Sequence, residues 1–265
     1  MPILVQAEIR ELDQDAFGEI AYQVLAHVFA IQKKMGRFFN EDIYRDAIAA
    51  RVGSDAKTEV MIEVVFEDFQ KPYFLDLLVA GGGIFELKAV KKLGAAHRSQ
   101  VLNYLLLCEL SHAKLVNFWP KKVEHEFVNT SLKRADRTAF HVCDESWIEP
   151  EGDARPMRPW LLGFLRDVGA GLDVSLYEAA VSHLYGGDEA VQQRIDIVAG
   201  DQRLGRQKVR LAAPGCAFKV TTISEAEVPH FEDHARRFLQ HTELQSIHWV
   251  NVTREIVRFQ TFQKE

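Results

Sequence analysis

Asp76, Glu86 and Lys88 are the residues whose types and spacing could do chemistry: an acid, then ten residues on an acid and a lysine two apart. They lie in DLLVAGGGIFELK, residues 76–88, which reads as two short apolar strands, 73–79 and 84–88, joined at Gly81-Gly82-Gly83. A glycine triplet between apolar runs signals a hairpin, because glycine accepts the positive φ that tight turns need. Side chains alternate along a strand, so Glu86 and Lys88 emerge on one face and Leu87 on the other. Three charged groups on buried strands are costly unless something compensates them. Two carboxylates holding a divalent cation, with an ammonium beside them, would do so; an ion pair between neighbouring strands is the plainer outcome.

The flanking elements must position these groups. In residues 14–35, Phe17, Ile20, Ala21, Val24, Leu25, Val28 and Ile31 recur at three- and four-residue spacing, which predicts an amphipathic helix. Lys33 and Lys34 lie in its last turn, and Gly36 and Arg37 close it. A second helix is expected over 40–52, with Asn40 as N-cap and Glu41 and Tyr44 within it. Strands follow at 59–66, 73–79 and 84–88, then a helix over 95–110 on which Gln100 and Tyr104, four apart, share a face. Strands at 114–119 and 123–129 complete the pattern.

An Asp followed about ten residues later by E-x-K on the next strand resembles the PD-(D/E)XK nuclease superfamily. The resemblance covers roughly residues 14–130, and the order α, β, β, β, α, β, β matches that family's core. GRFFNEDIYRDAIAARV resembles the subgroup named for G-x-x-E-x-x-Y: Glu41 and Tyr44 match, while Phe38 stands where its glycine is expected. Gln100 and Tyr104 resemble the Q-x-x-x-Y motif of RecB-like exonucleases, which contact DNA near the metal. The resemblance implies that Asp76, Glu86, the Leu87 carbonyl and Glu41 bind Mg²⁺ (or Mn²⁺), an oxygen-seeking ion that acidifies water near phosphate. It implies that Lys88 positions the attacking water. Gln100, Tyr104, Tyr44, Lys91, Lys92 and Arg98 are the candidate substrate contacts, the last three as guides for a phosphate backbone. A solvated charged face accounts for those cations equally well.

Length and composition set the limits. The 265 residues hold one large domain or two ordinary ones, 47% are hydrophobic, and no apolar run reaches the ~20 residues of a membrane helix. The N-terminal MPILVQAEIRELDQD has no apolar leader core, which points to a cytoplasmic protein without a membrane partner. Cys108, Cys143 and Cys216 are too dispersed for a disulfide framework or a zinc ribbon. The net charge of −6 does not advertise nucleic-acid binding, so phosphate contact needs a local patch, or a protein partner that supplies affinity.

Charge, glycine and prolines over 144–159 interrupt every periodic pattern and read as a linker between a domain at 1–143 and another at 160–265. The second part repeats the first. Shifting by 133 residues lays GRFFNEDIYRDAIAARVG on GAGLDVSLYEAAVSHLYG, Tyr44 on Tyr177 and IFELK on AFKVT; one residue more lays VNF (116–118) on VNV (250–252). The chemistry does not survive the shift: Glu41 falls on Val174, Asp76 on Val209, Glu86 on Lys219, Lys88 on Thr221 and Gln100 on Asp233. The expected fold is therefore α/β, a restriction-endonuclease-like core with a mixed central sheet flanked by helices, present twice in tandem. The expected function is Mg²⁺-dependent hydrolysis of nucleic acid, DNA in preference to RNA, by the first copy. The second copy would serve as an inactive structural or substrate-positioning partner in a pseudo-dimer. The competing expectation is a silent nuclease-fold protein that binds or regulates within a complex.

Overall fold

A computed structural model describes residues 2–150 and 155–264. The chain divides into two compact units, 1–134 and 135–265, each built on a six-stranded mixed sheet with helices packed against it.

In the first unit a short edge strand β1 (Ile3–Val5) precedes two helices, α1 (Gln14–Met35) and α2 (Glu41–Val52). Asp13 caps α1 by accepting from the Ala16 N–H at 2.8 Å, and Gly36, at φ 81°, ends it. The stripe Phe17, Ala21, Val24, Val28 and Ile31 is buried, as the periodicity requires. It packs on Leu77, Phe85, Leu87 and Val116, alternate residues of the sheet. The sheet comprises β1, β2 (Ala56–Phe66), β3 (Phe69–Val79), β4 (Gly83–Lys88), β5 (His112–Asn117) and β6 (Glu124–Asn129), in that order. Helix α3 (Ala95–Cys108) makes the crossover between β4 and β5, the parallel pair; the other neighbours are antiparallel.

The glycine triplet does more than turn the chain. The stretch leading into α1 crosses it, with Arg10 N–H donating to the Gly81 carbonyl at 2.9 Å. A Cβ on Gly82 would stand 2.2 Å from the Arg10 carbonyl oxygen, so only glycine fits beneath that segment.

The second unit contains α4 (Arg134–Thr138), β7 (His141–Ser146), α5 (Met157–Val168), α6 (Val174–Leu184), α7 (Asp188–Val191), β8 (Gln192–Ala199), β9 (Gln202–Ala213), β10 (Cys216–Thr221), α8 (Val228–Gln240), β11 (Ser246–Val252) and β12 (Ile256–Gln263). Its sheet order is β7-β12-β11-β10-β9-β8, with β10 and β11 parallel across α8. Two helices, an antiparallel three-strand meander, a helical crossover to a parallel neighbour and a final antiparallel strand thus occur in both units. The sixth strand differs: β1 joins β2, whereas β7 lies parallel to β12, at the other end of the series.

Local detail repeats too. The Tyr44 hydroxyl donates to the Gly36 carbonyl at 2.8 Å and accepts from Phe39 N–H. The Tyr177 hydroxyl donates to the Gly169 carbonyl at 3.0 Å and accepts from Leu172 N–H. Asn117 clamps Val90 through both its N–H and its carbonyl, and Asn251 clamps Ile223 in the same way.

One expected boundary moves. Asp144–Ser146, assigned to a linker over 144–159, is the end of strand β7, and 157–159 open α5. The division falls at 134/135 because β7 is hydrogen-bonded to β12 and so belongs to the second unit. Residues 151–154 of that segment lie outside the described residues.

Candidate active site

Strands β3 and β4 stop pairing where the acids lie. Their ladder runs from Val79↔Gly83 to Leu77↔Phe85, while β4 continues beside β5 as far as Lys88↔Asn117. Past that point the Leu87 N–H donates to Asp76 Oδ2 at 2.8 Å, so a side-chain carboxylate takes a donor that sheet backbone would otherwise use. The splay makes room for acidic side chains between two strands.

Glu86 lies in that gap, 1% exposed. Its Oε1 accepts from Lys88 Nζ at 2.6 Å, and its Oε2 is buried with no hydrogen-bond partner among the described residues. Glu41 reaches in from the first turn of α2: Oε1 accepts from the Ala89 N–H at 2.8 Å, and Oε2 stands 3.9 Å from Lys88 Nζ. The Lys88 ammonium therefore sits between two carboxylates.

Burial, and then the charge of Asp76, pushes the Glu86 carboxyl up to about 7. Burial also raises Asp76, against the opposing hydrogen bond from Leu87 N–H. For Lys88 burial works to lower the pKa, but Glu86, Asp76 and Glu41 together outweigh it and the net shift is upward, so the ammonium stays charged. Acids held closer to neutrality beside a fixed cation are the electrostatic signature of functional clefts.

Helix α3 contributes the pair read from its spacing. Gln100 Nε2 donates to the Tyr104 hydroxyl at 2.9 Å. Tyr104 is buried; that burial, and then the charge of Glu86, pushes its phenol up to about 12. The ring thus lies within electrostatic reach of Glu86. Lys91 and Lys92 are exposed in the loop just after β4.

Two expected substrate contacts are otherwise employed. Tyr44 is fully buried, stacked on Phe118 with ring centroids 4.0 Å apart, and its hydroxyl is spent on the 36–39 turn. It shapes the entry to α2. Arg98 is forked onto Glu126 at 2.5 and 2.7 Å, so its charge is neutralised within the unit. Conversely, Asn117 was not expected here. Fully buried at the end of β5, it holds Val90 and receives Trp119 N–H, fixing the chain as it leaves Lys88. The alignment of VNF on VNV carried that signal, since both units place an Asn there.

Whether these groups suit a divalent cation is decided by the donors present. Asp76 and Glu86 supply hard carboxylate oxygens, and the orphaned Glu86 Oε2 is a buried acceptor awaiting a partner. Among the described residues no three His, Cys, Asp or Glu side chains converge as a metal-holding group. The donor set fits an oxygen-bound ion held by two carboxylates, supplemented by backbone carbonyl and solvent.

In the second unit the equivalent positions are differently furnished. Lys219 Nζ pairs with Glu178 Oε1 at 3.1 Å, and Arg210 approaches the same oxygen at 3.4 Å. Thr221 is buried and hydrogen-bonded to Asn251 and Trp249.

Residues 18–130 match the family model described as the PD-(D/E)XK nuclease superfamily. This region, a little over two fifths of the chain, is similar to that superfamily. The two mixed sheets flanked by helices agree with its restriction-endonuclease-like core. No curated protein matches the chain. The solved structure of SSO0001 aligns at 22% identity and a TM-score of 0.29, over 44% of this chain and 62% of its own. The present chain thus spans about three fifths of that protein, and at such a TM-score the likeness carries no argument. Among the described residues no helix is long and apolar enough to cross a membrane.

Proposed function

We propose that this chain is a cytoplasmic, Mg²⁺- or Mn²⁺-dependent nuclease that hydrolyses DNA through its first unit. The observation that carries the reading is Glu86: a buried carboxylate with one oxygen unpaired, its pKa pushed up to about 7, beside Asp76 where two strands separate. A fold does not keep such a group for stability, because an aliphatic residue would cost less in that position. Asp76, Glu86 and the Leu87 carbonyl would hold the ion, with Glu41 as a further acid. The bound ion would supply positive charge at the scissile phosphate and acidify nearby water.

The chain's own groups do the rest. Lys88, already charged and held by Glu86, places a donor where the attacking water is oriented and where negative charge develops. Gln100 and Tyr104 orient the strand from α3, and Lys91 and Lys92 meet its phosphates. The second unit is a tandem copy without the chemistry: with Val209 and Lys219 where Asp76 and Glu86 stand, it has no carboxylate pair, and it serves as structural or substrate-positioning partner. A second reading, a silent nuclease-fold binding protein working with a partner, draws on the absence of a three-residue ligand cluster among the described residues.

Metal-dependent stability separates the two. If the ion binds the folded site alone, Mg²⁺ or Mn²⁺ at about 100 times its Kd stabilises by about 2.7 kcal/mol, raising Tm by several degrees. Asp76→Asn should abolish the rise. A rise that survives in that variant would place the ion elsewhere, and no rise in the wild type would favour the silent protein.

A further inference from the structure

A cluster of cations lies beside the site rather than on α3. At the end of α1, Lys33 and Arg37 share an open cleft of about 680 Å³ with Lys121 and Lys122, from the loop between β5 and β6. None of the four forms an ion pair among the described residues, although the chain as a whole carries −6. Lys33 in the last turn of α1 also serves that helix's C-terminal dipole, but Arg37, Lys121 and Lys122 lie outside any helix and have no such role.

Aromatic rings stand among these charges. Phe38 is 74% exposed, its ring edge-on to Trp119 at 5.7 Å, with the Arg37 guanidinium 5.1 Å from its centroid. A ring left in water beside cations that lack a carboxylate partner, Arg37 bonding only the Trp119 carbonyl at 3.4 Å, suits a ligand that is anionic along one edge and flat and apolar in its units. The cluster joins the acidic cleft through the backbone. The loop bearing Arg37 and Phe38 leads into Glu41, Asn117 receives Trp119 N–H, and Phe118 N–H donates to the Lys88 carbonyl at 2.8 Å.

We propose that Lys33, Arg37, Lys121 and Lys122, together with the exposed Phe38 braced edge-on by the half-buried Trp119, form a platform that binds single-stranded nucleic acid and feeds it to the acidic cleft. The cations follow the phosphates and Phe38 stacks on an unpaired base. A duplex keeps its base faces stacked inside and has none to offer the ring, so the platform selects single strands. This deepens the nuclease reading, on which the feeding step rests, whereas binding by the platform does not require cleavage.

Fluorescence anisotropy with labelled single-stranded and duplex oligonucleotides of one length, DNA and RNA, in EDTA, measures binding without cleavage. The wild type is expected to bind the single strand more tightly than the duplex. Lys121→Glu with Lys122→Glu should weaken it at least tenfold and reduce the dependence of log K on log salt by roughly 1.4, about 0.7 per lost phosphate contact. Phe38→Ala should weaken single-strand binding roughly tenfold, leave duplex binding unchanged, and leave Tm within a degree or two, since the ring is exposed. Equal affinity for both forms, or variants that bind as wild type does, would overturn the inference whether or not the protein cleaves. Platform-dependent binding of single strands by a protein that cleaves nothing would uphold it while refuting the nuclease reading.

Discussion

Replacing Glu86 by Gln should flatten the pH dependence of the first unit's stability. Glu86 is 1% exposed, and burial with the charge of Asp76 lifts its pKa from 4.5 to about 7. A raised folded-state pKa means that the native chain keeps its proton where the unfolded chain has lost it. The stabilisation is therefore complete below about pH 4.5 and is lost as pH rises through about 7. That interval corresponds to about 3 kcal/mol at 1.36 kcal/mol per pH unit, most of it between pH 5 and pH 8. Lys88, with its own pKa raised, stays charged throughout and cancels in the comparison. Urea unfolding in EDTA at both pH values, wild type beside Glu86→Gln, measures the difference. Wild type should lose about 2–3 kcal/mol more than the variant on going from pH 5 to pH 8. Equal losses would show that Glu86 is ionised in the fold at little cost, and would refute the electrostatic argument for the site.

Tyr44→Phe removes a hydroxyl that bridges the Gly36 carbonyl and Phe39 N–H and touches nothing in the cleft. It should cost about 1 kcal/mol of stability by thermal melting while leaving cleavage within about twofold; a large loss of activity at unchanged Tm would restore Tyr44 to substrate. Asn117→Ala frees both backbone groups of Val90 and should cost about 2–3 kcal/mol and lower activity as well, because that clamp fixes the chain leaving Lys88. Asn251→Ala in the second unit should cost similar stability without the loss of activity.

Much of this molecule was legible in its residues, for definite reasons. Helix α1 runs from Gln14 to Met35 as its apolar spacing requires, because one stripe had to face the sheet and both ends carried their own caps. Glu86 and Lys88 share a strand face and meet, as alternation demands. The sequence pattern does not mark strand β12, although Val257, Phe259 and Phe262 are buried along it, and it divides β7 between the first domain (141–143) and the linker (144–146) because HVCDES is short and polar. Strand register is set by partners distant in sequence, which composition does not reveal. Tyr44 matched a motif that names residue types and is silent on direction; only the fold shows its hydroxyl turned into a loop. The basic platform was illegible for a related reason, since Lys33 and Lys121 are 88 residues apart and meet only once α1 has packed beside the β5–β6 loop.

The claim that the first unit hydrolyses DNA with Lys88 in the reacting cleft is tested most directly by cleavage itself. Purified wild type, Lys88→Ala and Lys219→Ala are to be compared on single- and double-stranded DNA with Mg²⁺ or Mn²⁺, with EDTA as blank. Lys219 serves as control because it occupies the position of Glu86 in the second unit and pairs on the surface with Glu178. Wild type should cleave only with metal, Lys88→Ala should be slower by roughly 10² or more, and Lys219→Ala should match wild type within about twofold. No metal-dependent cleavage by the wild type, or cleavage undiminished in Lys88→Ala, would contradict the account.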